Sequence, residues 1–196
     1  AMAAPAIVII VVRGIRAARH SGVEDERASA AGAVVESASD TPDTLEEIRA
    51  EQAVYVPMWE AYHRAKAGQG GEVVSGLLLE PDEVALLVVN GEFIDPSKGL
   101  DSSISGTVIV TNTRLIFDSI ERNHEWKLAK LKKLTITGPG QRIFTINGRT
   151  RNYGLLFAER VNYFDNALGL ALSLTNPRFT PEPPELLFEE YLQKLD

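Results

Sequence analysis

The chain of 196 residues has no cysteine, which excludes disulfide frameworks, thiolate metal sites and thiol nucleophiles together. It has three histidines, His20, His63 and His124, scattered along the sequence, and neither a His-Glu-x-x-His nor a His-x-x-Glu-His arrangement occurs. A Gly-x-Ser-x-Gly nucleophile elbow is also missing. Gly138-Pro139-Gly140 lacks the third glycine of a dinucleotide loop, and Gln69-Gly70-Gly71 is not followed by the Lys-Ser/Thr of a phosphate-cradling loop. These absences speak against an enzyme, a metal site or a cofactor.

Long hydrophobic runs are scarce as well. Ala3 to Val12 is apolar, but a bilayer-spanning helix needs about 20 such residues. Its flank of Arg13, Arg16, Arg19 and His20 has the composition expected on the cytoplasmic side of a span. The run reads in two ways: the end of a membrane anchor that continues upstream, or a buried strand over Ile7 to Val12, which its β-branched content favours.

What is present fits a soluble core, with 44% hydrophobic and 24% charged residues. Net charge is −7, which argues against general nucleic-acid binding if the charge is spread evenly. It is not spread evenly. Residues 1–76 hold 7 basic and 11 acidic groups, residues 77–176 hold 11 of each, and residues 177–196 hold 2 and 5. Within the neutral section, Arg122, Lys127, Lys130, Lys132, Lys133, Arg142, Arg149 and Arg151 face Glu125 alone, a local excess of about +7.

The chain divides into four stretches. Residues 1–43 are the hydrophobic start and an Ala/Ser/Gly/Glu-rich linker. Residues 44–76 form a helical extension opened by a capping box, Thr44-Leu-Glu-Glu47, with Ile48, Tyr55, Trp59 and Tyr62 at helical spacing and Pro57 expected to break or kink it. Residues 77–174 are rich in period-two alternation, and residues 175–196 carry an amphipathic tail helix with acids early and Lys194 late.

In the third stretch, strands are predicted near 84–93, 106–111, 114–120, 125–128, 133–137, 142–146 and 152–157. Asn147-Gly148 predicts a two-residue type I′ hairpin, and Gly138-Pro139-Gly140 the turn before it. A helix over 158–174 carries two apolar stripes, Val161/Phe164/Leu168/Ala171 and Tyr163/Ala167/Leu170/Leu174. One stripe covers the sheet; the other needs the Trp59/Tyr62 helix, the tail or another chain. A homo-oligomer is therefore allowed. Trp126, Phe117, Phe144 and Tyr153 are expected in the core.

Two pieces of sequence carry a family likeness. Gly106-Thr-Val-Ile-Val-Thr-Asn-Thr-Arg-Leu-Ile-Phe117, with Trp126-Lys-Leu128 after it, and the entry Leu79-Glu80-Pro81-Asp82-Glu83 together resemble the bacterial pleckstrin-homology-like and GRAM-like families over about half the chain. The resemblance implies a mainly β fold: a seven-stranded antiparallel sandwich or partly open barrel capped by a C-terminal helix, here with an N-terminal helical extension. It also implies a non-enzymatic module that binds lipid head groups or proteins.

Lys127, Lys130, Lys132 and Lys133 flank Leu128, Leu131 and Leu134, so the leucines can point inward and the ammonium groups stay in water. Arg142, Arg149 and Arg151 come from the next hairpin, which should bring them beside the lysines. The expectation is a basic face meeting an anionic phospholipid surface or a protein partner at the cytoplasmic face of the cell membrane, with no nucleic acid, because exposed interleaved aromatics are lacking. The Asp95–Ser103 loop sets Lys98 against two aspartates, so the phosphoinositide loop of the family is not reproduced. An assembly subunit working through its helical extensions is the alternative.

Overall fold

The computed structural model describes residues 44–98 and 102–175. The readings of an anchor or strand before Val12, of the linker and of the tail helix lie outside those residues.

The first element, α1 (Leu45–Lys66), starts as its sequence directs. The Thr44 hydroxyl accepts the Glu47 N–H at 3.2 Å, and the Glu47 carboxylate accepts the Thr44 N–H at 3.0 Å. The break expected at Pro57 does not occur: α1 runs through it as one helix. A proline inside a helix costs about 3 kcal/mol or more. Tyr55 before it and Met58, Ala61 and Tyr62 after it are all buried in the barrel's own core, each large side chain contributing about 1.5–3 kcal/mol. That burial on both sides of the proline holds the helix together.

A small ribbon follows, β1 (Val73–Val74) and β2 (Leu77–Leu78), which the sequence reading lacks. Its turn has positive φ at both Ser75 (51°) and Gly76 (79°), the type I′ geometry expected at Asn147-Gly148. At the latter pair only Gly148 has positive φ (79°), and the Arg149 N–H bonds the Ile146 carbonyl at 3.1 Å. The chain then needs residues 147–151 to reach the next strand, so the expected two-residue hairpin is a longer loop.

All seven strands of the main sheet are present: β3 (Ala85–Ile94), β4 (Ile104–Thr111), β5 (Arg114–Asp118), β6 (His124–Lys127), β7 (Leu131–Gly138), β8 (Gln141–Ile146) and β9 (Asn152–Leu156), followed by α2 (Val161–Thr175). Their order is β6-β5-β4-β3-β9-β8-β7, every pairing antiparallel. β3 pairs with β4 from Ala85 to Phe93, with an irregularity at Leu86, but with β9 only through Glu92, Phe93 and Ile94. It therefore joins the β4–β5–β6 side of the sheet to the β9–β8–β7 side through its last residues. The outer strands β6 and β7 do not pair; a short 3₁₀ turn at Leu128–Lys130 joins them, and α2 covers the interior. This is the mainly β, pleckstrin-homology-like architecture, with α1 packed into the same core.

The two pieces of sequence that carry the likeness meet in space. Glu83, fully buried, receives Arg114 Nε at 2.8 Å and its terminal NH2 at 2.7 Å, the Thr111 hydroxyl at 2.6 Å, the Thr113 hydroxyl at 3.0 Å and the Glu80 N–H at 3.2 Å. Asn112 accepts the Val84 N–H at 2.9 Å and donates to the Asp82 carbonyl at 3.0 Å. Thr-Asn-x-Arg and Glu-Pro-x-Glu are thus two halves of one lock that ties the β4–β5 turn to the entry of β3. Burial pushes the Glu83 carboxyl up, but Arg114, the two hydroxyls and the Glu80 amide outweigh it and hold it below the ordinary 4.5.

Candidate functional site

A void of about 10 Å³ between Trp126, Leu128, Phe144 and Phe164 is no larger than one water, so it offers a ligand nothing. The polar chemistry lies instead at one end of the barrel, the mouth, where the turn after β3, the β5–β6 loop and the β8–β9 loop meet.

Alternation along β6 puts His124 and Trp126 on the same inward face. Trp126, expected in the core, is 3% exposed and packs edge-on to Phe144 at 4.9 Å and to Tyr153 at 5.3 Å. Phe117, Phe144 and Tyr153 are buried with it, as expected. His124 stacks on Trp126 at 5.2 Å and meets Phe93 at a tilt at 4.6 Å, extending this aromatic column to the mouth. Neither His124 Nε2 nor Trp126 Nε1 has a hydrogen-bond partner among the described residues, although both are buried. Such a group costs about 1–3 kcal/mol and calls for an explanation.

Three arginines gather around that column. The Arg122 guanidinium, from the β5–β6 loop, lies over the Phe93 ring at 6.0 Å. Arg149, from the β8–β9 loop, lies over the Tyr153 ring at 5.9 Å and donates to the Tyr153 hydroxyl at 2.8 Å. Arg151, 62% exposed, reaches Asp95 at a loose 3.7 Å. Burial lowers the His124 pKa below its ordinary 6.5, and the charges of Arg122, Arg149 and Arg151 lower it further. The charges named here are all cationic, and they disfavour the protonated ring. Asp95 is held below the ordinary 3.8, first by the Ser97 hydroxyl and amide (2.6 and 3.1 Å), with Arg151 and Lys98 adding to it against burial. It serves the turn as much as the arginine.

The predicted basic face divides into three parts. Lys127, Lys130, Lys132 and Lys133 are exposed while Leu128 and Leu131 are buried, as the alternation requires. They sit on the outer strands β6 and β7 and the turn between them, where lysine also blunts an unpaired edge. The β8–β9 loop does come beside them, its Asn147 N–H bonding the Lys130 carbonyl at 2.7 Å. Its Arg149 and Arg151 side chains, however, turn to Tyr153 and Asp95 at the mouth. Arg142 leaves the set: it is 5% exposed and forms a two-pronged pair with Asp165 of α2 at 2.8 and 2.5 Å. Its charge is consumed in fastening α2 to β8, which corrects its assignment to the basic face.

Arg122 and His124 are the residues that sequence reasoning left out of the site. Arg122 belongs to the basic excess of the neutral section but lies outside its lysine run. The signal for His124 was its spacing of two from Trp126, which sets a histidine on the inward face at a strand's open end.

No protein-family model and no curated protein matches the chain. Among solved structures it is similar to the N-terminal PH domain of Vps36 (14% identity over 56% of this chain and 93% of that one, TM-score 0.42). It is also similar to inner membrane complex sub-compartment protein 3 from Toxoplasma gondii (9% identity, 63% and 87% covered, TM-score 0.39) and to the N-terminal PH domain of human ARAP2 (11% identity, 48% and 87% covered, TM-score 0.35). At these values the fold assignment rests on the strand order and the capping helix described above.

Proposed function

We propose that this domain is a non-catalytic binding module that seats an anionic, phosphate-bearing head group at the barrel mouth on a membrane surface. The observation that carries the reading is the convergence of Arg122, Arg149 and Arg151 on His124, whose buried Nε2 has no partner among the described residues. Guanidinium groups match phosphate oxygens geometrically, and an anion there would relieve the mutual repulsion of the three cations. Lys127, Lys130, Lys132 and Lys133 would add a delocalised field, screened within about 10 Å at 0.1 M salt. The alternative, an assembly subunit using its helical extensions, has less behind it, because α1 buries its apolar face in the chain's own core.

Co-sedimentation with phosphatidylserine and phosphatidylcholine vesicles at low and high salt tests the reading, beside calorimetry with inositol hexakisphosphate as a soluble probe. Arg149→Gln/Arg151→Gln should weaken both by roughly thirtyfold, two basic groups at about 1 kcal/mol each near the surface. Lys130→Ala/Lys132→Ala/Lys133→Ala should lower vesicle binding in a salt-sensitive way and leave the soluble probe nearly untouched. Equal binding to neutral and anionic vesicles, or arginine variants that bind as the parent does, would reject the mouth as the seat.

A further inference from the structure

At the crown of the β5–β6 loop stands Ile120, whose relative exposure of 108% makes it the most solvent-exposed of the large apolar side chains described. A single exposed isoleucine is common on protein surfaces and by itself signals nothing. Two further observations set this one apart.

The first is that the loop is braced rather than loose. The Ser119 hydroxyl donates to the Arg122 carbonyl at 2.9 Å and accepts the Arg122 N–H at 3.0 Å, while Asn123 Oδ1 accepts the Ser119 N–H at 3.0 Å. These bonds close the tip on both sides of Ile120-Glu121 and hold the isoleucine outward, away from the column of Phe93 and His124 a few residues on. A side chain kept in water by the loop's own hydrogen bonds needs little ordering when it is buried against another surface.

The second is position. Arg122, two residues on, turns back over Phe93 into the mouth, where Arg149 and Arg151 stand. One short loop therefore presents an apolar tip beside a cluster of cations. That combination matches the boundary layer of an anionic bilayer, where phosphates lie outside and acyl chains begin within about 5–10 Å. A soluble phosphate would use the arginines and ignore the tip.

We infer that Ile120 inserts into the interfacial layer of an anionic membrane and sets the docking orientation of the barrel, with the mouth arginines at phosphate depth. This rests on the reading of the mouth as an anionic seat. Glu121 beside it works against close approach and keeps the tip shallow.

The test compares two probes on the 196-residue chain: phosphatidylserine-containing vesicles and inositol hexakisphosphate. Ile120→Ser should lower vesicle partitioning about tenfold and leave affinity for the soluble probe unchanged. Ile120→Trp should restore partitioning and add a blue-shifted fluorescence component on vesicles, over the background of Trp59 and Trp126. Ile120→Ser that partitions like the parent overturns the insertion, and so does a loss of soluble-probe binding in the same variant, which would mean that Ile120 acts through the loop. If Arg149→Gln/Arg151→Gln binds both probes as the parent does while Ile120→Ser loses vesicles, the anionic-seat reading falls and the insertion stands as a purely apolar contact.

Discussion

Charged groups are gathered at two ends of this barrel, and the two gatherings are built to opposite rules. At the β4–β5 turn every charge is answered: Glu83 receives two prongs of Arg114 and two threonine hydroxyls, and Arg114 has a third contact to Glu125 at 2.6 Å. At the mouth, among the described residues, Arg122 and Arg149 rest on aromatic faces, Arg151 has one loose carboxylate, and His124 Nε2 has no hydrogen-bond partner. A satisfied network rigidifies a fold. An unsatisfied one is costly unless something else completes it. The difference separates charge paired within the fold from charge that the described residues leave largely unpaired, a separation that net charge and sequence clustering do not make.

Removing Glu83 should break this comparison at its closed end. Glu83→Ala leaves the Arg114 guanidinium, only 16% exposed, and the Thr111 hydroxyl without their main partner, and should destabilise the domain by about 3–5 kcal/mol in urea denaturation. That is a large part of the 5–15 kcal/mol typical of a folded domain. The molecules that remain folded should bind inositol hexakisphosphate with unchanged affinity, because no mouth residue touches Glu83. Asp165→Ala should be next in size, about 2–4 kcal/mol, since it strands the buried Arg142. Arg142→Leu/Asp165→Leu should recover much of that loss, as apolar replacement of a buried pair is often neutral.

The closed end was legible in the sequence and the mouth was not, for a physical reason. Thr111, Asn112, Arg114 and Glu83 act through short-range, one-to-one bonds that demand those residue types at those spacings, so they leave a motif. The seven strands were legible likewise, because half-buried sheets impose alternation. The mouth is made by loops that meet only after the sheet has bent at β3, and its arginines need only end near each other. Arg142 shows the same limit from the other side: a basic residue in a basic run, turned inward by an aspartate 23 positions later. Pro57 misled because its local cost was readable and the tertiary burial that offsets it was not.

Acid titration should resolve the two ends into separate windows. Glu83 is held below its ordinary value, so its contribution is full above about 4.5, the unfolded value, and is lost as pH falls through the lower folded value. His124 is also depressed, from 6.5, so the folded form is at its best above about 6.5 and loses stability as pH drops toward and through the folded value. Stability measured against pH should therefore decline in two stages, the milder one setting in as pH falls below about 6.5, the unfolded value of His124. His124→Gln should abolish the upper stage and keep the lower. If the upper stage survives in His124→Gln, the mouth does not strain its histidine and the contrast between the two ends is weaker than drawn.

The smallest effect on stability should come from the most exposed cation of the mouth, and its smallness is the point. Arg151 reaches Asp95 only at 3.7 Å and is 62% exposed, so Arg151→Gln should change the unfolding free energy by less than about 0.5 kcal/mol. The same change removes one of the three charges that depress His124, so its pKa should rise toward 6.5, read from the imidazole resonance in an NMR titration. Inositol hexakisphosphate added to the parent protein should push the same resonance in the same direction, because it neutralises the cations that act on the ring. The shift on addition should then be smaller in Arg151→Gln, which has less charge to neutralise and holds the probe less tightly. A substitution that costs stability like Glu83→Ala, or a histidine pKa indifferent to both the arginine and the probe, would place Arg151 among the structural charges and leave the mouth without a seat.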